Sequence, residues 1–271
     1  MQYISKYISR KKGHAIIRRF LKKQWSREAQ CYVNLNYNEL KRDKTFEKQL
    51  IREQQGFCCY CMRHLCKGEV TLEHVMPQKI KKEDLKREIK YYAQYGRLKN
   101  RYVRYMEQVP RTPRLKTPPY PHSLAYENLV ASCSGKVHSE GERYVLHQCC
   151  NNFRGNQRII PLFFVKEVGS LVEYRKDGTI DCQERMDETI KLLNLEHPSL
   201  VFIRKIWASI VNAGVSVNDI ESAKQDLLLR GDIISDIDIA REERQKLKKN
   251  TYWDLLNEFY WFYGYYQKKL G

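Results

Sequence analysis

The fold of this chain is decided by three separated segments: GFCCYCMRHLCKGEVTLEHVMPQ at residues 56–78, YENLVASC at 126–133 and HQCCNNFRGN at 147–156. In the first segment, Cys58 and Cys61 have the two-residue separation that lets one tight turn present both thiolates to a single tetrahedral zinc ion. Zinc requires two further ligands, and Cys133 and Cys150 can supply them. The sequence therefore predicts a structural zinc site of four cysteines that joins the three segments.

Two residues compete with Cys150 for the fourth position of this site. Cys149 is its immediate neighbour, and His147 has the same separation from Cys150 that Cys58 has from Cys61. Structural zinc sites with three cysteines and one histidine occur, so both alternatives are chemically reasonable.

The composition favours a globular protein that binds a polyanion. A chain of 271 residues can hold one large or two small domains and can bury a core without disulfide bonds. Its 49 Lys and Arg against 32 Asp and Glu give a formal net charge of +17, which favours nucleic acid as a partner. The simpler alternative is a basic surface that serves only solubility.

The cysteine content and the hydropathy pattern indicate a cytoplasmic protein. Nine cysteines are an odd number, and most lie between Cys58 and Cys150, which suits metal ligation in a reducing compartment better than a disulfide framework. No stretch approaches twenty apolar residues, and the first twenty residues contain no small-residue cleavage site after an apolar run. We therefore expect no association with a membrane.

Local patterns predict a helix and two strands around the cysteines. Residues 43–56 repeat apolar positions at helical spacing and end at Gly56, a typical helix stop. The segment EVTLEHV predicts a short strand that ends near His74, and ENLVASC predicts a second strand.

Taken in order, these segments resemble the HNH endonucleases. The resemblance rests on a Cys-x-x-Cys knuckle, followed by Leu-Glu-His-x-x-Pro-Gln, Glu-Asn-Leu and Cys-Asn-Asn-Phe-Arg-Gly-Asn. With LNLEHPSLVFIRK at 193–205, this order is most similar to the HNH subunit of Septu-type and retron-associated anti-phage systems. The resemblance spans roughly residues 45 to 207. It implies an α+β fold whose ββα-metal core, a β-hairpin and a helix around one divalent ion, stands on the zinc ribbon.

The resemblance also assigns roles to individual residues. Glu73 would bind a catalytic Mg²⁺ or Mn²⁺, although many family members have Asp there, and His74 would be the general base that activates water. Asn128 would hydrogen-bond His74 and fix which ring nitrogen faces that water. Asn151 would complete the catalytic metal site, and Arg154 would contact a phosphate. The chemistry agrees, because an imidazole with an intrinsic pKa near ~6.5 accepts a proton at neutral pH and Mg²⁺ prefers hard oxygen ligands.

Alternatives remain at the helix that the third segment is expected to open. Asn152 is the alternative to Asn151 as metal ligand, and a helix N-cap is the ordinary role of an asparagine at such a position. Cys150 is preferred to Cys149 as zinc ligand because it matches the family's last cysteine, four residues before Arg154.

Two basic regions are candidate nucleic-acid surfaces. Residues 1–30 contain one acidic residue, Glu28, and apolar positions at helical spacing, which predict a basic amphipathic helix. Residues 79–121 predict an inserted helical hairpin, rich in Lys, Arg and Tyr, with a proline-rich return. The basic residues nominated for phosphate contacts are Arg18, Arg19, Lys22, Lys23, Lys81, Lys82, Lys86 and Arg87.

The expected architecture has three regions. They are a basic helical arm at 1–44, a nuclease core at 45–165 that contains the insertion at 79–121, and a β-hairpin with helices at 166–271. In the last region, Lys176 to Gly178 signal the turn of the hairpin, and His197-Pro198 separates two helices. The aromatic C-terminal segment has two candidate roles: such a stripe is most often part of the core, and at the end of a chain it can form a surface that docks a partner, which is the role nominated here.

The expected function is metal-dependent hydrolysis of DNA by the effector nuclease of an anti-phage system. The resemblance implies an ATPase subunit as partner, which would also set the oligomeric state. The chain contains neither a Gly-x-x-x-x-Gly-Lys-Ser/Thr loop nor a Gly-x-Gly-x-x-Gly run, so control by ATP would come from another chain. The alternative is a zinc-ribbon module that binds nucleic acid, or acts as an adaptor, without catalysis.

Overall fold

The structure, a computed structural model, describes residues 1–65, 69–80, 84, 87, 120–138, 146–212, 214 and 256–270. Its helices are α1 (Lys6–Gln24), α2 (Tyr37–Lys41), α3 (Lys44–Glu53), α4 (Cys150–Arg154), α5 (Val168–Leu171), α6 (Glu184–Leu192), α7 (Pro198–Asn212) and α8 (Trp261–Leu270). Its strands are β1 (Trp25–Ser26), β2 (Cys31–Tyr32), β3 (Val70–His74), β4 (Leu129–Cys133), β5 (Lys136–His138), β6 (Leu146–Gln148), β7 (Val172–Tyr174) and β8 (Ile180–Cys182). Short 3-10 helices span His122–Leu124, Tyr126–Asn128 and Leu162–Phe164. The described chain is therefore α+β, as predicted.

The strands pair into small antiparallel sheets, β1 with β2, β3 with β4, β5 with β6 and β7 with β8. In the β3–β4 hairpin, Val70 pairs with Cys133 and His74 pairs with Leu129. Side chains alternate along a strand, so Glu73 and His74 lie on opposite faces of the hairpin. Both lie at the end remote from Cys133.

The free edge of β4 is covered by a buried glutamine side chain. The Gln54 amide donates to the Ala131 carbonyl at 2.7 Å and accepts from the Ala131 N–H at 2.8 Å, as a neighbouring strand would. Gln54 directly follows α3, whose first turn is capped by the Asp43 carboxylate and whose end is followed by Gly56 at φ +87°. The predicted helix is confirmed, but it ends at Glu53, and Gln55 at φ +56° precedes Gly56 in the left-handed conformation. Because Gln54 directly follows α3, its two hydrogen bonds to Ala131 hold the end of this helix against the hairpin.

Helix α1 is a packed part of the core and not a separate basic arm. Its apolar side chains are buried as the sequence predicts, namely Ile16, Ile17, Phe20 and Leu21. Gly13 allows the close approach of Tyr126, because a Cβ there would stand 2.3 Å from that ring. The Tyr126 hydroxyl and the Lys6 ammonium both bond to Glu53, and His14 lies 2.6 Å from the Glu127 carboxylate. These buried polar contacts fix α1 against the segment that leads into β4.

The C-terminal aromatic residues also belong to the core, so the prediction that this segment is a docking surface is wrong for its buried face. Phe259, Phe262 and Tyr266 are buried. The Phe262 ring meets the ring of Tyr174 at 4.9 Å, and the Trp207 indole of α7 donates to the Leu256 carbonyl at 3.2 Å. These aromatic side chains are therefore core residues through which the C-terminal segment packs against α7 and β7.

The remaining predictions divide between confirmed elements and one error. The β7–β8 hairpin turns at Gly178, and α6 and α7 are separated before Pro198, both as predicted. The sequence of residues 134–148 contains Gly and Ser and predicts a loop, but the structure places the short strands β5 and β6 there. Most of the predicted insertion at 79–121 lies outside the described residues. Among the described helices, none has the length and apolar character needed to cross a membrane.

Candidate metal centre and active site

The four predicted cysteine ligands converge on one buried point. The ligand atoms of Cys58, Cys61, Cys133 and Cys150 all lie within 4.8 Å of one another. The Sγ separations are 3.9 Å for Cys58–Cys150, 3.7 Å for Cys61–Cys133 and 3.8 Å for Cys133–Cys150. Four sulfurs at about 2.3 Å from a tetrahedral zinc would be about 3.8 Å apart. The donor set and its spacing are thus compatible with a structural zinc ion.

Backbone geometry shapes both halves of this cluster. The Met62 N–H donates to the Cys58 carbonyl at 3.3 Å, and Met62 takes a left-handed conformation at φ +66°. Cys150 also lies in the left-handed region, at φ +56°. A non-glycine residue there costs about 1–2 kcal/mol. A bound ion would offset that cost by linking the two turns.

Two further thiols lie beside the cluster but outside the group of four. The Cys149 Sγ is 3.5 Å from the Cys150 Sγ, and burial raises the pKa of the Cys59 thiol well above its ordinary value. The Cys149 backbone N–H donates to the Gly135 carbonyl at 2.7 Å, and a Cβ on Gly135 would stand 2.3 Å from the Cys149 carbonyl oxygen. The other alternative ligand, His147, lies in β6, and its side chain is outside the described set. The four mutually close ligand atoms include that of Cys150 and not that of Cys149, although the Cys149 thiol also interacts with Cys61 and Cys133.

His74 has one ring nitrogen fixed and the other available. Its Nε2 lies 3.0 Å from the Ser123 carbonyl oxygen. A carbonyl oxygen can only accept, so Nε2 carries the proton and Nδ1 keeps its lone pair. Within the described ranges, no group hydrogen-bonds Nδ1. Burial lowers the pKa of His74 to about 4, against the opposing effect of the Ser123 hydrogen bond. The imidazole is neutral at pH 7 and can accept a proton through Nδ1.

Glu73 is a partly buried carboxylate close to several positive charges. Burial raises the pKa of its carboxyl above the ordinary value. The Thr71 hydroxyl and the positive charges of Arg154 and Lys41 act in the opposite direction. A carboxylate in such surroundings gains from a bound cation, because the cation compensates the cost of burying the charge.

Asn128 has a different role from the expected one. Its side chain is fully buried and accepts a hydrogen bond from the Met76 N–H at 2.8 Å. It donates to the carbonyls of Met76 at 3.2 Å and His122 at 3.3 Å. The expected hydrogen bond to His74 is not formed. Asn128 instead fixes the turn after β3 onto the 3-10 helix that carries Ser123, and the Ser123 carbonyl orients the imidazole.

Arg154 does not occupy a position that could contact substrate. Its side chain is buried, with 2% of the residue exposed. Its guanidinium donates to the Gln157 carbonyl at 2.8 Å, the Tyr60 hydroxyl at 3.0 Å and the Val75 carbonyl at 3.1 Å. The expected phosphate contact is therefore replaced by a structural one. Arg154 ties the end of α4 to the end of β3.

This tie sets α4 alongside the hairpin. Cys150, at the first turn of α4, lies in the cysteine cluster with Cys133 at one end of β4. Arg154, about 6 Å further along the helix axis, reaches the residues that follow β3 at the other end. The cysteine cluster thus fixes one end of both elements, and Arg154 fixes the other. Glu73 and His74 lie at the second end.

The two candidate asparagines of α4 differ in their contacts. Asn152 is exposed, and its amide donates to the Ser134 carbonyl. Asn151 is partly buried, and its amide forms no hydrogen bond with the part of the chain that the structure describes. Neither serves as the N-cap, because Cys149 occupies that position. The Asn152 hydrogen bond uses its amide nitrogen, so the side-chain oxygens of both asparagines are uncommitted among the described residues, and the preference for Asn151 rests on the sequence resemblance.

Two residues of α2 at the site were missed by the sequence reasoning. The Tyr37 hydroxyl donates to the Leu72 carbonyl at 2.5 Å, and its ring lies 4.3 Å from the His74 ring. Lys41 is exposed and is close enough for its charge to act on both Glu73 and His74. No local motif marks these residues, because α2 reaches the hairpin only through tertiary packing.

The structure describes five of the eight basic residues that were predicted to contact nucleic acid. Arg18, Arg19, Lys22 and Lys23 are exposed on α1, and Arg19 pairs with Asp43 at 3.2 Å. Arg87 is exposed and pairs with Asp84. Lys81, Lys82 and Lys86 lie outside the described residues.

Comparisons with known proteins add no relative to this picture. No family model, curated protein or solved structure matches the chain.

Proposed function

We propose that this protein is a metal-dependent endonuclease of the HNH type that hydrolyses phosphodiester bonds in DNA. The observation that carries the proposal is the neutral His74 imidazole, with Nε2 held by Ser123 and Nδ1 uncommitted, at the same end of the hairpin as the Glu73 carboxylate. Both residues are on a hairpin whose far end is anchored at four clustered cysteines. Zinc at that cluster would have a structural role, since all four positions are taken by protein ligands.

Two residues that the resemblance assigns to the site offer oxygen ligands that suit a hard divalent cation. Glu73 offers a carboxylate and Asn151 an amide oxygen, and oxygen ligands of this kind suit Mg²⁺ or Mn²⁺. Such an ion, when bound, stabilises the charge that develops on the phosphate and the leaving oxygen.

The chain's own residues perform the proton transfer and the positioning. His74 takes a proton from the attacking water through Nδ1, which its neutral state at pH 7 allows. Ser123 and the ring of Tyr37 hold the imidazole in place. Asn128 and Arg154 act indirectly, because they fix the backbone on which Glu73 and His74 lie. An effector role in anti-phage defence with an ATPase partner is part of the proposal and rests on the sequence resemblance.

The test is cleavage by zinc-loaded protein of a panel of plasmid, linear duplex, single-stranded DNA and RNA. We expect cutting of DNA with Mg²⁺ or Mn²⁺ and none with EDTA, with and without the ATPase partner. Glu73→Ala and Asn151→Ala should lose activity, whereas Asn152→Ala, the matched control, should keep most of it. No cutting under any of these conditions, by folded and zinc-loaded protein, would contradict the proposal.

The second candidate is a zinc-ribbon module that binds nucleic acid or acts as an adaptor without catalysis. The buried position of Arg154 favours it, because the site then lacks the cation that the nuclease family would place on the substrate. This candidate predicts DNA binding that depends on the cysteine cluster, with no change in any reaction when His74 is replaced.

A further inference from the structure

Helix α2 lies against the end of the hairpin that carries Glu73 and His74. Tyr37, at its start, is held by a hydrogen bond to the Leu72 carbonyl and by edge contact with the His74 ring. Residues four apart in a helix lie on the same face, one turn further along. Lys41 therefore follows Tyr37 on the face of α2 that is turned towards the candidate site.

Lys41 differs from Arg42 and Lys44 in forming no close ion pair among the described residues, and the carboxylate on which its charge acts is Glu73. Arg42 pairs with Glu39 at 2.9 Å, and Lys44 pairs with Glu47 at 3.0 Å. The Lys41 ammonium is exposed, and its charge acts on Glu73 and on His74. A cation that is accessible, without a close ion pair and close to a catalytic pair is suited to bind an anion.

The expected phosphate contact, Arg154, is unable to perform this task. Its donors are used on protein oxygens, and its side chain is buried. The candidate site thus has two cations: Arg154 is buried and stabilises the fold, whereas Lys41 is exposed and has no such role. Lys41 lies outside every motif that carries the resemblance to the HNH endonucleases.

The basic face of α1 extends the positive surface beyond Lys41. Arg19 on that face pairs with Asp43, which lies two residues after Lys41. Arg18, Lys22 and Lys23 are exposed near the same helix end. A polyanion that reaches Lys41 can therefore continue along α1.

We propose that Lys41 binds a phosphate of the nucleic-acid substrate beside Glu73 and His74, in place of Arg154. This inference rests on the proposed function for the identity of the substrate. Lys41 is then a substrate-contacting residue contributed by α2, outside the hairpin and α4.

The experiment compares Lys41→Gln with Arg42→Gln, an adjacent exposed residue whose loss changes the net charge equally. The probe is a fluorescent DNA duplex, and binding is measured by anisotropy over a series of salt concentrations, with single-turnover cleavage measured in parallel. We expect Lys41→Gln to weaken binding and to lower the salt slope by about 0.9, the value for one lost phosphate contact. Cleavage should fall about 10- to 100-fold, and Lys41→Arg should restore most of both.

The two readouts separate this inference from the proposed function. If the wild-type protein binds but never cuts, and Lys41→Gln still lowers the salt slope relative to Arg42→Gln, the Lys41 contact stands and the nuclease proposal fails. If the wild-type protein cuts, and Lys41→Gln matches Arg42→Gln in salt slope and cleavage rate, the Lys41 contact is overturned and the nuclease proposal stands.

Discussion

At the residue scale, the tautomer of His74 follows from one hydrogen bond. The Ser123 carbonyl can only accept, so the proton is confined to Nε2 and the basic nitrogen is Nδ1. Burial keeps the ring neutral, since charging it would require solvation that the site does not offer. At neutral pH the ring can therefore accept a proton through Nδ1 without first losing one.

The first prediction concerns the protonation of this imidazole. With a pKa of about 4 in the folded protein, His74 should remain neutral from pH 8 down to about pH 5. The lowered value means that the neutral ring favours the folded state above the unfolded pKa near ~6.5, and that this contribution is lost as pH falls below it. NMR of ¹⁵N-labelled histidine should report the Nε2–H tautomer across this range. A titration midpoint near 6.5 for His74 would contradict the assignment.

The second prediction separates the two roles considered for Asn128. Asn128→Ala leaves the backbone groups of Met76 and His122 without their partners in a buried turn, so we expect a loss of about 2–4 kcal/mol in the free energy of unfolding. The control is the exposed Asn152→Ala, which should change it by less than about 1 kcal/mol. Denaturant unfolding provides the measurement. If Asn128→Ala kept full stability and altered the His74 tautomer, the direct hydrogen bond implied by the family resemblance would be the correct one.

At the scale of elements, the hairpin and α4 are arranged by two fixed points. The cysteine cluster joins the Cys133 end of β4 to the start of α4, and Arg154 joins the end of α4 to the end of β3. Helix α4 spans Cys150–Arg154, and a helix of this length is not stable alone. Its position therefore depends on these two anchors.

The third prediction tests the first anchor. Cys150→Ser should lose most of its zinc and unfold the hairpin region, because metal binding and folding are coupled at such sites. Cys149→Ser is the matched control and should keep about one zinc per chain. Metal analysis after desalting, with circular dichroism, decides the outcome. If Cys150→Ser kept its zinc and Cys149→Ser lost it, Cys149 and not Cys150 would be the fourth zinc ligand.

Elements governed by local rules could be predicted from the sequence. Helix α3 has its cap at Asp43 and ends shortly before Gly56, and the β7–β8 turn has Gly178, so each signal lies within a few residues of its effect. The cysteine cluster was predictable because zinc ligation restricts both the residue type and the spacing. The β5–β6 pair was missed because its strands are three residues long and a Gly and Ser pattern surrounds them.

Roles that depend on tertiary contacts could not be predicted. Asn128 and Arg154 stand where the motif places them, but their hydrogen bonds go to backbone groups whose positions only the fold determines. Tyr37 and Lys41 reach the site through the packing of α2, which leaves no sequence signal near the motif. Residue identity thus indicated the location of the site better than the function of each side chain.

At the scale of the whole molecule, the terminal helices extend the core around the hairpin. Helix α1 packs its apolar face inward and keeps Arg18, Lys22 and Lys23 exposed, so one helix serves both stability and charge. Helix α8 buries its aromatic residues against α7 and β7. An ATPase partner, if present, therefore cannot dock on the buried face of α8 without unfolding it.

The fourth prediction tests this placement of α8. Phe262→Ala removes a fully enclosed ring and should lower the free energy of unfolding by about 3–5 kcal/mol. Tyr260→Ala is the control, since 45% of that residue is exposed, and it should cost less than about 1.5 kcal/mol. Equal and small effects in thermal and denaturant unfolding would mean that the aromatic segment is peripheral and available to a partner.

The central claim is that His74 acts as a general base on a hairpin anchored by the cysteine cluster. The direct measurement is the single-turnover rate of DNA cleavage by wild-type protein, His74→Ala and the control His64→Ala, each with its zinc content and folding verified. Loss of a general base lowers a rate by about 10²- to 10⁴-fold, so His74→Ala should fall by that factor with DNA affinity nearly unchanged, and His64→Ala should retain most of the rate. Cleavage by folded, zinc-loaded His74→Ala at a rate within about twofold of the wild-type rate would contradict the claim.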